Sequence, residues 1–339
     1  MHVKNAVNTE RTIVVHGTGS IGMRHLRVFR DLASELVIAV PKRPERCEDL
    51  RHEGFSSVAS MSDAAVPDAL LVIASDTGRH IRDAVDAMAL GFAGLLIEKP
   101  LAPSVQGLRE LEMACSRIPN KIFVACNLRF AASMSVFRNR LAEIGRIHHV
   151  RIEAQSYLPE WRPERDYRQS YSADAAQGGV LRDLIHEIDY AVWLFGRPGN
   201  VYAMLSNTGR LGIASEESAD LLWQVPSGPT VSMRLDYLTR QYRRIMTATG
   251  KLGEIIWDFP TQTVTLRKVG CPPEVIVTPQ ARDEMMHSQA VAFLSACQTG
   301  AQSQLATLEE GAFAVALCDA ARTSSETGKR QTIPDWRKQ

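Results

Sequence analysis

Two groups in this chain have the type and setting to move a proton. One is Lys99, which follows the apolar run Leu95-Leu96-Ile97 and stands between Glu98 and Pro100. Three apolar residues drive a short strand to its end, and the proline that follows removes the donor that would continue the ladder. In an open parallel sheet, groups just past the carboxyl ends of the strands face the ligand crevice, so Lys99 would project into it. The plainer alternative is a surface lysine at a strand end. The other group is His186, with Asp183 and Asp189 three residues to either side. A helical pattern at about 100° per residue gathers Leu181, Leu184, Ile185, Ile188, Val192 and Phe195 on one face, with Asp183, His186 and Tyr190 opposite. An imidazole with a carboxylate beside it is suited to proton transfer, the carboxylate fixing its tautomer and stabilising its cation. A solvated polar face is the alternative.

For these groups to act together, other elements must bring them to one place. Thr12 to Val15 is a β-branched run leading into His16-Gly17-Thr18-Gly19-Ser20-Ile21-Gly22 and then a helical pattern through Phe29. That is strand, Gly-x-Gly-x-x-Gly, helix. Gly17 permits the tight turn, Gly19 lets the backbone approach a pyrophosphate, and Gly22 lets the helix pack on the strand, while the free N–H groups at Ser20, Ile21 and Gly22 face the phosphates. The strand Leu36 to Val40 should end near an acidic residue about 20 positions past the glycines if the dinucleotide is NAD. Pro41, Lys42 and Arg43 stand there instead, and two cations would hold a 2′-phosphate, which favours NADP over NAD. Solvated loop charges are the competing reading.

A buried strand, Ala69 to Ala74, precedes Ser75-Asp76-Thr77-Gly78-Arg79-His80 and a helix to Leu90 that Gly91 ends. The turn shares the carboxyl edge with the glycine loop, so Ser75, Thr77 and His80 are candidates to border the dinucleotide, although a histidine at a helix start is more often a capping or packing residue. Leu95 to Pro100, a helix from Val105 to Arg117, and a strand from Lys121 to Cys126 ending in Asn127 and Arg129 complete the half. Strands alternating with helices imply a doubly wound parallel sheet.

The glycine loop, the Ser-Asp-Thr-Gly-Arg-His turn and above all Glu98-Lys99-Pro100-Leu101-Ala102 resemble the Gfo/Idh/MocA oxidoreductases, the family of glucose-fructose oxidoreductase and inositol dehydrogenase. A second stretch, Gly178-Gly179-Val180-Leu181-Arg182-Asp183-Leu184-Ile185-His186-Glu187-Ile188-Asp189, resembles the family's glycine-rich helix start followed by His-x-x-Asp. The family spacing sets the histidine four residues after the first aspartate, whereas here it is three, so either Asp183 or Asp189 is the orienting carboxylate. The resemblance implies that Lys99 and His186 share proton transfer with a sugar hydroxyl, with Asp183 assisting, and that Glu98 and Lys99 border the nicotinamide. It also implies pairing of sheets into homodimers or homotetramers.

After a helix around Ser133 to Glu143 the periodicity becomes two. Val150, Ile152 and Ala154 alternate with Arg151, Glu153 and Gln155, and Val231, Met233, Leu235 and Tyr237 alternate with Ser232, Arg234 and Asp236. Further strands fit Asp220 to Val225, Arg244 to Thr249, Glu254 to Phe259 and Thr263 to Arg267, an antiparallel sheet with one face free for another copy. The stretch Pro159 to Gln177 carries Trp161, Arg162, Arg165, Tyr167, Arg168 and Tyr171. Its arginines either clamp an anion beside an aromatic ring or pair with Glu160, Glu164 and Asp166 in the same loop. The first option gives a mild preference for an acidic or nucleotide-linked sugar. Asn127, Arg129, Trp161, Arg162 and Arg168, together with Asp183 and His186, are the candidate substrate contacts. Helices Asp283 to Cys297 and Leu308 to Ser325 close the chain.

The expected organisation is thus an α/β Rossmann domain with a doubly wound parallel sheet over 1–127, then an α+β domain with a large, mostly antiparallel open sheet over 128–339 whose last helix packs back on the first. The 339 residues suit two cores, and a net charge of +1 gives no general attraction for nucleic acid or an acidic membrane. Cys47, Cys115, Cys126, Cys271, Cys297 and Cys318 form no Cys-x-x-Cys pair, which argues against a metal site and fits reduced thiols in a cytoplasmic protein. The first ten residues lack the apolar core of a signal peptide and read as a ragged tail, and no run is long enough to span a bilayer. An NAD(P)-dependent dehydrogenase or reductase acting on a secondary alcohol of a sugar, cyclitol or nucleotide sugar is the expected function. A dinucleotide- and sugar-binding sensor without turnover is the rival, and an enzyme that recycles a tightly held cofactor between two substrates is a third.

Overall fold

The computed structural model describes residues 11–32, 37–118, 121–300 and 304–338. The N-terminal tail and Leu36, expected at the start of the second strand, lie outside the described residues. Six strands, β1 (Ile13–His16), β2 (Val37–Val40), β3 (Ser56–Ser57), β4 (Leu70–Ile73), β5 (Gly94–Ile97) and β6 (Ile122–Val124), form a parallel sheet in the order 3-2-1-4-5-6. Every residue of β4 and β5 is buried, because helices cover both faces and such strands need apolar side chains in both directions. The strand order reverses between β1 and β4, which opens a crevice past their carboxyl ends. The glycine loop, the turn after β4 and Lys99 after β5 all emerge along this edge.

A second sheet follows, built from β7 (Ile147–Tyr157), β8 (Asn200–Ser206), β9 (Ser218–Gln224), β10 (Thr230–Asp236), β11 (Leu238–Gly250), β12 (Gly253–Asp258), β13 (Thr263–Lys268) and β14 (Glu274–Val277). It is antiparallel except where β7 and β10 run side by side in parallel. The period-two pattern sorts its faces. Val150, Ile152, Ala154, Val231, Met233 and Leu235 are buried inward, while Tyr202, Met204 and Leu222 stay exposed on the outer face beside Arg151 and Arg234. Both expected sheet types are therefore present.

The end of the chain joins the two sheets. Strand β15 (Ala306–Thr307) pairs antiparallel with β6 of the first sheet, and β16 (Gln331–Thr332) pairs with β8 of the second. Between them the helix Leu308–Thr327 sets Gly311 against Val124, where a Cβ would fall 2.5 Å from that side chain, and its Ser324 hydroxyl accepts from the Ala203 N–H at 3.0 Å. The helix Arg282–Thr299 covers the other face of the first sheet, with Phe293 edge-on to Phe29 and Phe123.

Several elements differ from expectation. The helix anticipated from Val105 starts at Leu108, because Gly107 adopts a left-handed φ of 81° just before it. The strand expected at Arg244 is the end of the longer β11, which bulges between Leu238 and Arg243. Strands β8 and β14 were not anticipated. The helical pattern from Leu181 to Phe195 is not one helix: Val180–Asp183 and Ile185–Phe195 are separated at Leu184, whose φ and ψ are −96° and 31°.

Candidate functional site

The glycine loop is shaped by backbone clearance. Gly17 has φ 93°, and a Cβ there would lie 2.5 Å from the Ala74 carbonyl carbon; a Cβ on Gly22 would lie 1.8 Å from the Gly17 oxygen. Those two glycines are needed for contacts within the protein. Gly19 is different, since a Cβ there would meet nothing within 4 Å. It is exposed with Ser20 at the start of the helix Ser20–Leu32, whose first turn carries no acidic side chain. Open space, free N–H groups and a positive helix end together fit a pyrophosphate.

At the end of β2, Lys42 and Arg43 are exposed, and the Lys42 ammonium donates to Asp76 in the turn after β4 at 2.5 Å. In that turn the Ser75 hydroxyl donates to the buried Asp83 (2.6 Å), which also faces His16 (3.3 Å) and Arg79 (3.0 Å). Burial alone would raise the Asp83 carboxyl, but its bonds to His16, Ser75 and Arg79 outweigh it and bring the group down to about 2. Thr77 is half-buried beside it. His80, expected to border the dinucleotide, is buried instead, with its ring nitrogens against the carbonyls of Pro100 (3.0 Å) and Ser75 (3.1 Å), and burial lowers its pKa. It ties the turn after β4 to the segment after β5.

Glu98 is likewise used internally. Its carboxylate holds His25 of the first helix at 2.7 Å and accepts from the Lys99 N–H at 3.2 Å, so it fixes the end of β5 against the glycine-loop helix. The Lys99–Pro100 peptide bond is cis. The Lys99 side chain then crosses to the other half of the chain, where its Nζ donates to the Asp183 carbonyl at 2.9 Å. The break at Leu184 explains why that carbonyl is free. The Glu187 N–H, which a continuous helix would send to Asp183, goes to Leu184 at 3.2 Å, leaving the Asp183 oxygen as a helix-end acceptor.

The same break sets the side chains. Asp183 is buried, and one of its carboxylate oxygens accepts from the Tyr237 hydroxyl at 2.5 Å; the other, Oδ1, is buried with no partner. Burial and then the Asp183 carboxylate raise the phenol of Tyr237, so it stays a protonated donor towards that carboxylate. His186 has no carboxylate partner. Its Nδ1 is buried and unpaired, and burial together with the cations of Lys99 and Arg244 pulls its pKa well below the usual histidine value. The ring beside Lys99 is therefore neutral. Arg244 on β11 faces the buried Glu187 at 2.7 Å. Nothing in the sequence pattern singled out Tyr237, Arg244 or Glu187, because each meets its partner across a long chain separation.

Two expected assignments change. Asp189 does not orient His186: it is buried in a two-pronged pair with Arg129 at 2.6 and 2.8 Å. Arg129 in turn is not free for substrate, being buried against Asp189, Glu310 (3.2 Å) and the face of Trp193. Asn127 is half-buried at the end of the sheet edge.

The glycine pair before Asp183 also has an internal reason. A Cβ on Gly178 would lie 2.0 Å from the Tyr171 oxygen, and one on Gly179, where φ is 90°, would lie 2.2 Å from Glu216. The loop 159–177 runs over this region. Trp161 is edge-on to Tyr237 at 5.4 Å, with its ring nitrogen donating to Ser156, and the far end of the loop rests on the turn after β4, where a Cβ on Gly78 would fall 2.8 Å from Gln177. Arg168, expected at the substrate, instead faces Asp166 at 3.6 Å and lies over Tyr167. Arg162 is exposed.

Among the described residues no group of three or more His, Cys, Asp or Glu side chains has the spacing to hold a metal, and no helix is long and apolar enough to cross a membrane. Comparison with known proteins agrees with this layout. Residues 11–126 match the model of an oxidoreductase family with an NAD-binding Rossmann fold, and residues 140–256 match the GFO/IDH/MocA C-terminal domain. A 1,5-anhydro-D-fructose reductase of Ensifer adhaerens is 26% identical over 282 residues, covering 79% of this chain and 80% of that protein. A solved levoglucosan dehydrogenase in complex with NADH and levoglucosan superposes with a TM-score of 0.85 at 19% identity, covering 96% of this chain and 100% of that one. A UDP-N-acetylglucosamine 3-dehydrogenase of Acidithiobacillus ferrooxidans gives 0.78 at 17% identity, over 94% and 99% of the two chains.

Proposed function

The chain belongs to the Gfo/Idh/MocA oxidoreductases, and from that premise we propose that it moves hydride between a bound nicotinamide dinucleotide and a secondary alcohol or ketone of a sugar, cyclitol or nucleotide sugar. The observation that carries the reading is the meeting of Lys99 with the Asp183–His186 segment, which brings an ammonium from the carboxyl edge of the first sheet to a neutral imidazole of the second half. When bound, the nicotinamide supplies the hydride acceptor or donor. The Lys99 ammonium polarises the substrate oxygen and stabilises the alkoxide character that develops on it. The His186 imidazole, neutral and unpaired at Nδ1, takes the hydroxyl proton in oxidation and returns it in reduction. Asp183, held by Tyr237, keeps its free Oδ1 for a second substrate hydroxyl. The sugar-acting relatives support the substrate class, and the substrate itself is one of that class.

The dinucleotide is proposed to be NADP in preference to NAD. Among the described residues the Arg43 guanidinium has no partner, and Lys42 is held at the same edge by Asp76, so the pair can receive a 2′-phosphate. The outer face of the second sheet, with Tyr202, Met204 and Leu222 exposed between arginines, is the proposed contact between copies in a homodimer or homotetramer. The residues to 127 would then hold the dinucleotide and those from 128 the substrate.

The test is to follow absorbance of NADPH and NADH with a panel of keto sugars, and of the oxidised cofactors with sugars and cyclitols. Turnover of at least one pair is expected. Tight cofactor binding with no turnover across the panel would favour the sensor.

A further inference from the structure

The loop 159–177 packs on Tyr237 through Trp161 and on the turn after β4 through Gln177, and its charged groups are only partly paired with one another. Three of its four acids have partners. Glu160 faces Arg240 at 3.6 Å, Asp166 faces Arg168 at 3.6 Å and caps the Arg168 N–H, and Asp174 accepts from the N–H groups of Ala176 and Gln177. Glu164 is exposed and makes no ion pair with a residue of the loop. Among the described residues the guanidinium groups of Arg162 and Arg165 have no hydrogen-bond or ion-pair partner, and Arg162 is the one next to Trp161.

Its position is fixed by its neighbours. Trp161, one residue before it, is set edge-on against Tyr237, whose hydroxyl is on Asp183. Burial and the Asp183 charge raise the Tyr171 phenol, and the Arg162 charge from the same loop lowers it. An unpaired guanidinium therefore follows directly on an exposed indole that packs against Tyr237, the donor to Asp183. A planar fork of N–H donors is matched by the paired oxygens of a carboxylate or a phosphate, and the neutral hydroxyls of a plain sugar do not offer such a pair.

We propose that Arg162 recognises an anionic group, carboxylate or phosphate, on the sugar substrate, so that the substrates of this chain are acidic sugars. The proposal rests on the oxidoreductase reading for the reaction and on the loop geometry for the anion. The indole of Trp161 provides the apolar surface on which the sugar ring lies, and Arg162 sets which end of the ring enters.

The experiment compares D-glucuronate, D-glucose 6-phosphate and D-glucose as probes, each with the wild-type chain, Arg162→Ala and Arg162→Lys. Turnover is read as kcat and KM with both cofactors, and binding is read separately by calorimetry on protein saturated with NADPH or NADH. The expected result is a kcat/KM for one or both anionic sugars at least about tenfold above that for glucose, the size of a charged hydrogen bond. Arg162→Ala should lower that ratio about tenfold through KM, with Arg162→Lys between the two. Whichever anionic probe shows the larger ratio identifies the source of the anion. Equal kcat/KM for charged and neutral sugars, or a ratio that Arg162→Ala leaves unchanged, would overturn the proposal while the oxidoreductase reading stands. Arg162-dependent binding of an anionic sugar without turnover would do the reverse. Absence of both binding and turnover across the panel would remove the anion site as well.

Discussion

The Lys99 side chain donates to the main-chain carbonyl of Asp183 at 2.9 Å, across 84 positions of sequence and from one sheet to the other. The bond exists because the helix breaks at Leu184 and leaves that carbonyl without an amide. It positions the ammonium by a backbone group, which no substitution at position 183 can remove, so the lysine and the aspartate can be tested separately.

Lys99→Met keeps the length of the side chain and deletes its charge. Turnover should fall by about 10³-fold or more, as for loss of a proton-transfer or oxyanion group, while cofactor affinity measured by fluorescence titration changes by no more than a few-fold. Retained turnover would remove Lys99 from the mechanism.

Tyr237→Phe leaves the buried ring against Trp161 and removes the hydroxyl donor to Asp183. A buried carboxylate that loses a hydrogen bond costs about 1–3 kcal/mol, so a drop in Tm of a few degrees is expected together with a fall in kcat. A variant with lower Tm and unchanged kcat and KM would make Tyr237 purely structural.

His186 is set to work as a neutral base, its pKa lowered by burial, Lys99 and Arg244. The base is lost only as pH falls through that lowered value, so the acid limb of kcat/KM should lie well below the ordinary histidine range around 6.5, with no histidine inflection at neutral pH. The double variant Arg244→Met, Glu187→Gln removes the nearby cation without stranding a buried charge and should move the limb upward. A limb at the ordinary position in the native chain would mean that neither burial nor the two cations lower the ring's pKa, or that His186 is not the base.

Replacing Lys42 and Arg43 by Ala should raise KM for NADPH about tenfold or more and that for NADH much less, each contact being a charge-assisted one. Asp76→Asn, which frees Lys42 from its partner, should shift the preference further towards NADPH. Equal effects on both cofactors would reverse the assignment.

Breaking the buried pair by Arg129→Met should destabilise the chain by about 3–5 kcal/mol, and adding Asp189→Leu should recover much of it, because the cost is the charge left alone. Thermal unfolding measures both. KM for sugar should be unchanged in the double variant, as expected of a pair inside the protein.

Much of this arrangement is legible in the sequence, and the limits have physical causes. The strand-loop-helix around Gly17 and the Lys99 strand end are local patterns, and the period-two run ending in Tyr237 correctly gives its burial. The interruption at Leu184 is not readable from periodicity, which counts apolar residues and does not register one residue leaving the helical region. Arg129 at a strand end looks like Lys99 at a strand end; only the position of Asp189, 60 residues on, separates a buried guanidinium from one that meets ligand. Arg162 and Arg168 differ only in which acids of the loop fold back on them.

The antiparallel strand Ala306–Thr307 sits on the edge of the first sheet, and Phe293 fills one of its faces. A ribosome that has made all six parallel strands has therefore not yet made the residues that cover one edge and one face of their sheet. Excised alone, the strands would leave that apolar face bare, so the sheet is completed only when nearly the whole chain has emerged.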